Sequence, residues 1–223
     1  MKARKRAGTV GKVLGCALLL VIALFPIYWL VAMAIRPTEE MQGHIALIPQ
    51  ALTIEHFVSL FADKGFGQAT INSLQTTLSS LVLSLFVGIC AAYIIARQRF
   101  RFGLKRPMTY WVLLVRVLPP VAFTIPLYTM FSKIGILNTK LPVVLACVLI
   151  NVPLIIWFLI SFFQDLPEEI EESAKVDGAT EWQLFVRIVL PLVAPGIAAV
   201  AMLSFMYAWN EYTLSLIHIS EPT

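Results

Sequence analysis

Five apolar runs, each long enough for a helix to cross a bilayer, constrain the fold of this chain more than any other feature. They occupy residues 13–35, 70–96, 107–131, 142–163 and 192–212. A membrane-spanning helix needs about 20 mainly apolar residues. The chain is 59% hydrophobic and only 13% charged, whereas an ordinary soluble domain carries about 25% charged residues. The sequence therefore predicts an all-α fold, a polytopic membrane helix bundle with five spans.

The positions of the basic residues predict how these spans are oriented. Of the 17 Lys and Arg residues, twelve fall in segments that are cytoplasmic if the N-terminus is inside, four fall in outer segments, and Arg116 lies within a span. Segments rich in Lys and Arg stay on the cytoplasmic side. We therefore expect a cytoplasmic basic N-terminus at 1–12, a segment on the outer side at 36–69 and a cytoplasmic loop at 164–191. The first run is too long for the apolar region of a cleaved signal peptide, which has about 7–15 residues.

The second and third predicted spans carry features that contact with lipid does not explain. The first half of the run at 70–96 is rich in Asn, Gln, Thr and Ser, which predicts a face turned toward other helices or a pathway. Gly88 and Ala92 are four residues apart and would let a neighbouring helix approach closely. In the third run, the pair Pro119-Pro120 predicts a kink or a break. Arg116, near the middle of that run, indicates either a functional charge or a structural tie to a neighbouring subunit.

The loop at 164–191 is a long, strongly charged segment between apolar runs. Seven acids and one base, Lys175, fall in its first two-thirds. Two short helices are predicted in it, the first with Asp165 as N-cap and the second opened by a T-x-x-Q capping box at 180–183. Gly178 stands between them, where a backbone angle unfavourable to other residues is expected. The pattern predicts a helix–turn–helix hairpin that a partner protein can grip.

The same loop resembles the EAA signature of the membrane subunits of bacterial ATP-driven importers. The matching positions are Glu172, Ser173, Ala174, Asp177, Gly178, Ala179, Ile188, Leu190 and Pro191. Ser173 replaces the commonest alanine by another small residue. In that family the loop is a coupling helix that sits in a groove of the ATPase subunit, so the resemblance implies that these positions couple the chain to an ATPase. The alternative, a solvated acidic linker, needs neither the glycine nor the two caps.

Shorter matches along the chain resemble the carbohydrate-type permeases of type I importers, a branch that includes the second membrane subunit of the maltose importer. They are Asn72-Ser73, Ala92-Tyr93 followed by Arg97, Ile125-Pro126-Leu127, Asp165-Leu166-Pro167-Glu168 and Trp209-Asn210-Glu211. The resemblance implies import of a sugar or sugar alcohol across a bacterial inner membrane, with the segment at 36–69 on the periplasmic side. It also implies the partners: two ATP-binding cassette subunits, a second membrane permease subunit, and a periplasmic or lipid-anchored solute-binding protein.

The C-terminal end departs from this resemblance. Permeases of this kind close with a sixth span, whereas here the sequence continues for eleven residues after Tyr212. We therefore expect a permease core at 70–215, a tail at 216–223 that is truncated or foreign sequence, and a missing sixth span. Within the core, Arg116, Asn151 and Asn210 are predicted to line the substrate pathway, unless the partner permease holds the site alone.

Two other functions compete with this interpretation. A self-sufficient secondary transporter or channel should show inverted repeats and ionisable groups at mid-membrane, yet the sequence shows no repeat, and only Arg116 and Glu211 qualify as such groups. An intramembrane enzyme is disfavoured because the three histidines are scattered and the stretch at 8–13 has too few residues between its glycines for a phosphate-binding loop. We expect a non-catalytic subunit with no catalytic residue, no metal, no cofactor and no nucleic-acid partner, surrounded by membrane lipid.

Overall fold

The computed structural model describes residues 2–41, 46–62, 65–97, 105–137 and 139–210. The chain divides into two compact units, residues 1–69 and 70–223. Regular structure in the described ranges is helical, in agreement with the predicted all-α class. The helices are α1 (Lys2–Ala34), α2 (Glu55–Ala62), α3 (Phe66–Arg97), α4 (Lys105–Val117), α5 (Pro120–Ile134), α6 (Leu141–Asp165), α7 (Glu168–Val176), α8 (Glu181–Leu184) and α9 (Leu190–Trp209).

Four helical stretches within the described ranges are long and apolar enough to cross a membrane. They are Gly11–Ala34, Phe66–Arg97, Leu141–Asp165 and Glu181–Trp209. They overlap the first, second, fourth and fifth predicted spans. The third predicted span differs, for a reason that lies in its proline pair.

The predicted span at 107–131 is two helices instead of one. Helix α4 ends at Val117, and α5 begins at Pro120 after a break with extended backbone at Pro119, where φ is −66° and ψ is 141°. A residue that precedes a proline rarely adopts helical backbone angles. A proline also has no amide hydrogen for the helical hydrogen-bond pattern. The proline pair therefore breaks the helix, as predicted, and two shorter helices replace the single span.

The first unit contains α1 and a short segment after it, which folds back against the C-terminal end of α1. Arg36 is fully buried, and its guanidinium donates to the Ala46 carbonyl at 2.6 Å. The amide of Thr53 donates to the Ile35 carbonyl at 2.8 Å, which brings the chain back to the end of α1. The Thr53 hydroxyl then accepts from the first amide of α2 at 3.1 Å. Thr53 therefore caps the start of α2.

In the second unit, α3 and α6 run parallel and lie side by side. A β-carbon at Gly88 would come within 2.5 Å of Ile155 Cγ2, so the contact requires a glycine. Small buried residues recur along this face of α3, namely Thr77, Ser80, Ser84, Gly88 and Ala92. The predicted close approach at Gly88 and Ala92 is therefore confirmed. Small side chains of this kind let membrane helices make close van der Waals contact, which drives their association in lipid.

Helix α9 runs antiparallel to α6 and completes the core. Its buried residues recur at helical spacing along one face and are Val193, Gly196, Val200, Ser204 and Ala208. A β-carbon at Gly196 would come within 2.6 Å of Phe162 Cδ1, so a glycine is again required for the contact. The main apolar core includes Ala92 on α3, Leu159 on α6 and Val200 on α9. These three helices therefore position the loop that joins α6 to α9.

One predicted helix cap in that loop is wrong. Asp165 is the last residue of α6 and does not cap α7. Leu166 has extended backbone, as expected of a residue before a proline. Pro167 then takes the N-cap position of α7 and makes no side-chain capping bond. The proline ends α6, and the acidic residue stays on the preceding helix.

Candidate functional site

The acidic loop folds into two short helices, α7 and α8, called here the acidic hairpin (residues 168–184). Helix α7 ends in a Schellman motif, because the Gly178 amide donates to the Lys175 carbonyl and the Ala179 amide to the Ala174 carbonyl, each at 3.0 Å. Gly178 has a φ of +85°, in the left-handed region that costs other residues about 1–2 kcal/mol. The predicted special backbone angle is confirmed, and the alanine–glycine spacing of the motif matches this type of helix end.

Helix α8 opens with the predicted capping box. The Gln183 amide donates to the Thr180 hydroxyl at 3.3 Å, and the Thr180 amide donates to the Gln183 side-chain oxygen at 2.9 Å. Lys175 Nζ lies 2.7 Å from Glu181 Oε1 and so joins α7 to α8 across the turn. The hydrogen bond from Lys175 to Glu181 raises the pKa of this lysine above its usual value. The two arms are thus held together by local chemistry.

A sheltered ion pair fixes the hairpin to the end of α3. Arg97 Nε lies 2.7 Å from Glu171 Oε1, and the two side chains are only 10% and 13% exposed. Arg97 Nη2 also donates to the Leu166 carbonyl at 2.8 Å. Tyr93 donates its hydroxyl hydrogen to the second Glu171 oxygen at 3.2 Å. Because loss of either charge would leave the other one buried and unpaired, this pair holds α7 firmly against α3.

Apolar contacts hold the hairpin from its inner side. The Tyr93 ring lies 5.5 Å from the Phe163 ring and 4.8 Å from the Phe185 ring, measured between centroids. Ala174 and Leu184 are buried and belong to the main core. A small side chain at position 174 lets α7 lie close to the spanning helices. The hairpin is therefore packed into the end of the bundle.

The opposite face of the hairpin is open. The side chains of Glu172, Ser173 and Asp177 are exposed, and so are two apolar side chains, Val176 at 88% and Trp182 at 69%. The hairpin also borders a cleft of about 740 Å³, lined in part by Arg97, Glu168, Glu171, Glu172, Lys175 and Glu181. Exposed apolar groups surrounded by charged residues are typical of a surface that binds another protein.

A π turn at Phe185–Val189 connects α8 to α9. Within it, the Leu190 amide donates to the Phe185 carbonyl, five residues earlier. Pro191 follows directly, and a proline lacks an amide and crowds the carbonyl four residues before it. The wider π turn accommodates this carbonyl, so one continuous helix runs from Glu181 to Trp209. The last part of the predicted motif is therefore the joint between the hairpin and a spanning helix.

The predicted coupling residues differ in their exposure to solvent in this structure. Those exposed on the hairpin are Glu172, Ser173, Asp177 and Gly178, while Ala174 is buried and Ala179, Ile188 and Leu190 are partly buried. Pro191 is exposed directly after the π turn. All nine lie on one continuous piece of chain, so the structure brings them together. Their role in coupling stays a prediction.

The predicted substrate-pathway residues lie on three different helices. Arg116 belongs to α4, and its side chain lies outside the described residues. Asn151 on α6 is 1% exposed and so is sealed inside the chain's own bundle. Asn210 is exposed at the end of α9, where its side-chain amide donates to the Met206 carbonyl at 2.8 Å. The described contacts do not join Asn151 to Asn210.

Sequence reasoning missed residues that hold the site together. Tyr93 and Arg97 entered only as parts of a short resemblance, and Glu171 only as one acid among seven. A usable signal existed, because a basic residue at the end of one predicted span and an acidic loop were both predicted on the same side of the membrane. Opposite charges confined to one membrane surface are natural partners.

A bundle of helices long enough to span a membrane, with a braced and exposed hairpin at one end, has the form of a permease subunit. Residues 84–222 match the family of binding-protein-dependent transport system inner membrane components. The chain belongs to this family. It is therefore a multi-pass permease component of the inner membrane, and the all-α permease fold predicted from sequence is confirmed.

Relatives support this assignment. The chain is 34% identical to the trehalose transport system permease protein SugB of Mycobacterium tuberculosis, over 87% of this chain and 70% of that protein. It is 33% identical to the diacetylchitobiose uptake system permease protein NgcG of Streptomyces coelicolor, over 87% of this chain and 64% of that protein. The predicted ABC permease agrees with these names, and the alternative of a secondary transporter finds no support in them.

A solved structure shows the same fold. It is a bacterial ABC transporter involved in the import of the acidic polysaccharide alginate, with a TM-score of 0.80 and 22% sequence identity. The match covers 99% of this chain and 77% of that chain. The bundle and its connections are therefore those of an ABC importer permease.

Proposed function

We propose that this permease imports a sugar or sugar alcohol and that ATP-binding subunits drive it through the acidic hairpin. The complex then contains two ATP-binding cassette subunits, a second membrane permease subunit and a solute-binding protein outside the membrane. The N-terminus and the loop at 164–191 lie in the cytoplasm, and the segment at 36–69 lies on the periplasmic side. The distribution of Lys and Arg supports this orientation.

The observation that carries this proposal is the attachment of the hairpin. Its inner side is fixed to α3 by the Arg97–Glu171 pair, and its second arm continues into α9 without a loop. Its outer side leaves acids and Trp182 exposed. The hairpin is rigidly joined to two spanning helices and exposed on its other face. It is therefore suited to transmit the movement of a cytoplasmic partner to these helices.

The free energy that the hairpin has to transmit explains why it must be rigid. To shift a two-state equilibrium from about 1:99 to about 99:1 takes about 5.5 kcal/mol of differential binding. A flexible linker would absorb such a displacement in its own backbone motion. The Schellman motif at Gly178, the capping box at Thr180 and the pair at Arg97 each remove one source of that motion. ATP-driven closure of the partner subunits can therefore move α3 and α9 together.

The exposed acids indicate the chemistry of the partner surface. The loop carries seven acids in the sequence from 165 to 181 and one base, Lys175. Complementary charge at an interface guides encounter and sets register. We infer that the ATP-binding subunit presents basic side chains to Glu172 and an apolar pocket to Trp182.

The substrate class rests on the relatives. SugB is named for trehalose and NgcG for diacetylchitobiose, and both are carbohydrates. Asn210, exposed at the end of α9, and Arg116 on α4 keep their proposed place along the pathway. Asn151 does not reach a pathway in this conformation, because its side chain is sealed between helices.

Reconstitution with the partner subunits in proteoliposomes tests the proposal. Gly178→Pro and Glu172→Lys should abolish uptake of the substrate while ATP hydrolysis by the complex continues. The reason is that the hairpin no longer transmits the closure of the ATP-binding subunits. Glu39→Lys, the same charge reversal at an exposed site in the first unit, should leave uptake unchanged. Normal uptake by both hairpin variants would overturn the coupling role.

The orientation and the substrate class need separate measurements. A membrane-impermeant amine reagent should label Lys175 only after the vesicle interior is opened, provided that the vesicles keep the cytoplasmic side inside. Labelling from the outer surface would contradict the proposed orientation. In uptake assays, excess disaccharide should compete with the transported solute and excess amino acid should not. The reverse result would exclude a carbohydrate substrate.

A further inference from the structure

Three buried side chains inside the second unit carry polar atoms that have no hydrogen-bond partner among the described residues. The atoms are Ser84 Oγ on α3, Asn151 Nδ2 and Oδ1 on α6, and Ser204 Oγ on α9. The three residues are 0%, 1% and 0% exposed. A buried amide or hydroxyl without a partner lowers the stability of the fold. Three such residues in one apolar core therefore require an explanation.

The parallel register of α3 and α6 sets Ser84 opposite Asn151. The contact between Gly88 and Ile155 fixes which residues of the two helices lie at the same depth. Ser84 precedes Gly88 by four residues, and Asn151 precedes Ile155 by four. Four residues are about one helical turn, so both side chains stay on the contacting faces. Each of them is almost fully buried, as this register requires.

The antiparallel register of α6 and α9 brings Ser204 to the same depth. The contact between Gly196 and Phe162 fixes this register. Ser204 lies eight residues beyond Gly196, and Asn151 lies eleven residues before Phe162, which is the same direction along the bundle. The difference of three residues amounts to about 4.5 Å along the helix axis. The three polar side chains therefore lie at similar depths in the core.

We propose that Ser84, Asn151 and Ser204 form a buried hydration site, in which a water molecule bridges α3, α6 and α9. Water donates two hydrogen bonds and accepts two. The asparagine amide and the serine hydroxyls supply both donors and acceptors for it. Buried waters typically make about three hydrogen bonds to polar groups that would otherwise be unpaired. The ligand class follows from this donor and acceptor set.

A neighbouring serine shows that the arrangement is particular to these residues. Ser80, one turn earlier on α3, is equally buried, but its hydroxyl donates to the Thr77 carbonyl at 2.9 Å. A serine in a membrane helix commonly pairs with its own backbone in this way. Ser84 and Ser204 make no such bond among the described residues. Their hydroxyls thus remain available to a shared partner.

Through this site, Asn151 would help to hold the three helices together. A water held by three helices links them through polar bonds at a depth where lipid offers none. The helices joined in this way include α3 and α9, which also carry the acidic hairpin. The hydration site would therefore help these helices to move as one body.

A mutant cycle on the full-length chain in lipid nanodiscs tests this assignment. Asn151→Leu should lower the melting temperature by about 2–4 °C, because it displaces the water and leaves two serine hydroxyls unpaired. Adding Ser84→Ala and Ser204→Ala to that variant should recover part of the loss, although each serine change alone is destabilising. Such non-additivity is the mark of groups that share one partner.

Ser80→Ala is the matched control. Its effect should be the same in the parent chain and in the Asn151→Leu variant, since the Ser80 hydroxyl pairs within α3. Additive effects of Ser84→Ala and Ser204→Ala would overturn the shared site. If Asn151→Leu does not fold, a high-resolution structure of the unaltered protein decides. A density peak within hydrogen-bond distance of all three side chains supports the proposal, and direct pairing between them or an empty, apolar contact overturns it.

Discussion

The two ends of the α3–α6 pair are fastened by different chemistry. At the hairpin end, Arg97 pairs with the carboxylate of Glu171, and both side chains are sheltered from solvent. At the opposite end, Lys140 Nζ donates to Asn72 Oδ1 at 2.9 Å and to Gln75 Oε1. Lys140 is exposed, and its acceptors are neutral amides. The hairpin end thus has a buried ion pair, and the opposite end has an exposed polar contact.

The difference indicates which end of the pair opens more easily. Breaking a buried ion pair leaves an uncompensated charge and costs about 3–5 kcal/mol. An exposed amide acceptor exchanges its partner for water, so its loss costs far less. We expect the hairpin end to move as a block and the opposite end to separate readily. The mutations below weaken one end at a time, in order of expected effect.

The largest effect is expected from Arg97→Met. It leaves the Glu171 carboxylate sheltered and unpaired, and should lower the free energy of unfolding by about 3 kcal/mol. Denaturant titration of the detergent-solubilised chain measures the loss. The double variant Arg97→Met, Glu171→Leu removes both charges and should recover most of it. An equal loss in single and double variants would show that packing, not charge, holds this end.

Gly178→Ala should have the next largest effect. The φ of +85° penalises any side chain, while the surrounding space is open, so the expected cost is about 1–2 kcal/mol. Gly135, at the end of α5, is a matched control with a φ of +77° and similarly open space. Gly135→Ala should lower the melting temperature by a comparable amount but leave substrate uptake per ATP unchanged. Equal loss of coupling in both variants would contradict a special role for the hairpin.

At the opposite end, Lys140→Met should cost less than about 1 kcal/mol. Its hydrogen bonds to Asn72 and Gln75 are exposed and are replaced by bonds to water. Lys133→Met, which removes another exposed lysine at the end of α5, serves as the control. Denaturant titration of both variants gives the comparison. A loss at Lys140 as large as that at Arg97 would abolish the distinction between the two ends.

The smallest effect is expected at Lys175. Its ion pair with Glu181 is 48% and 75% exposed, so Lys175→Met should cost less than about 0.5 kcal/mol. A lysine whose pKa is raised in the folded state adds stability below its unfolded pKa of 10.5, and this contribution disappears as the pH rises through the higher folded value. Thermal unfolding should therefore show the same small difference between variant and parent at about pH 6 and about pH 9.

Features set by neighbouring residues were predictable from the sequence. The left-handed Gly178, the capping box of Thr180 and Gln183, and the break at Pro119 each follow from backbone chemistry within a few residues. The helical class and the apolar stretches follow from composition in the same way. Local rules suffice there because no distant part of the chain competes with them.

Features that depend on the alignment of one helix against another could not be predicted from the sequence. Glu171 is one of seven similar acids, and only the parallel packing of α3 and α6 selects it as the partner of Arg97. Asn151 was predicted to line the pathway, but the same packing turns it into the core. The cap assigned to Asp165 is wrong because Pro167 forces extended backbone at Leu166, which leaves Asp165 as the last residue of α6.

The π turn at Phe185–Val189 has a consequence for the rotational phase of α9. It holds one residue more than an α-helical turn, and one residue corresponds to about 100° of rotation about the axis. Without this extra residue, Val193 and Val200 would swing away from α6 and Gly196 would no longer face Phe162. The turn beside Pro191 thus sets the rotation of α9 about its own axis. It matches the orientation of the hairpin to the one face of α9 that fits the core.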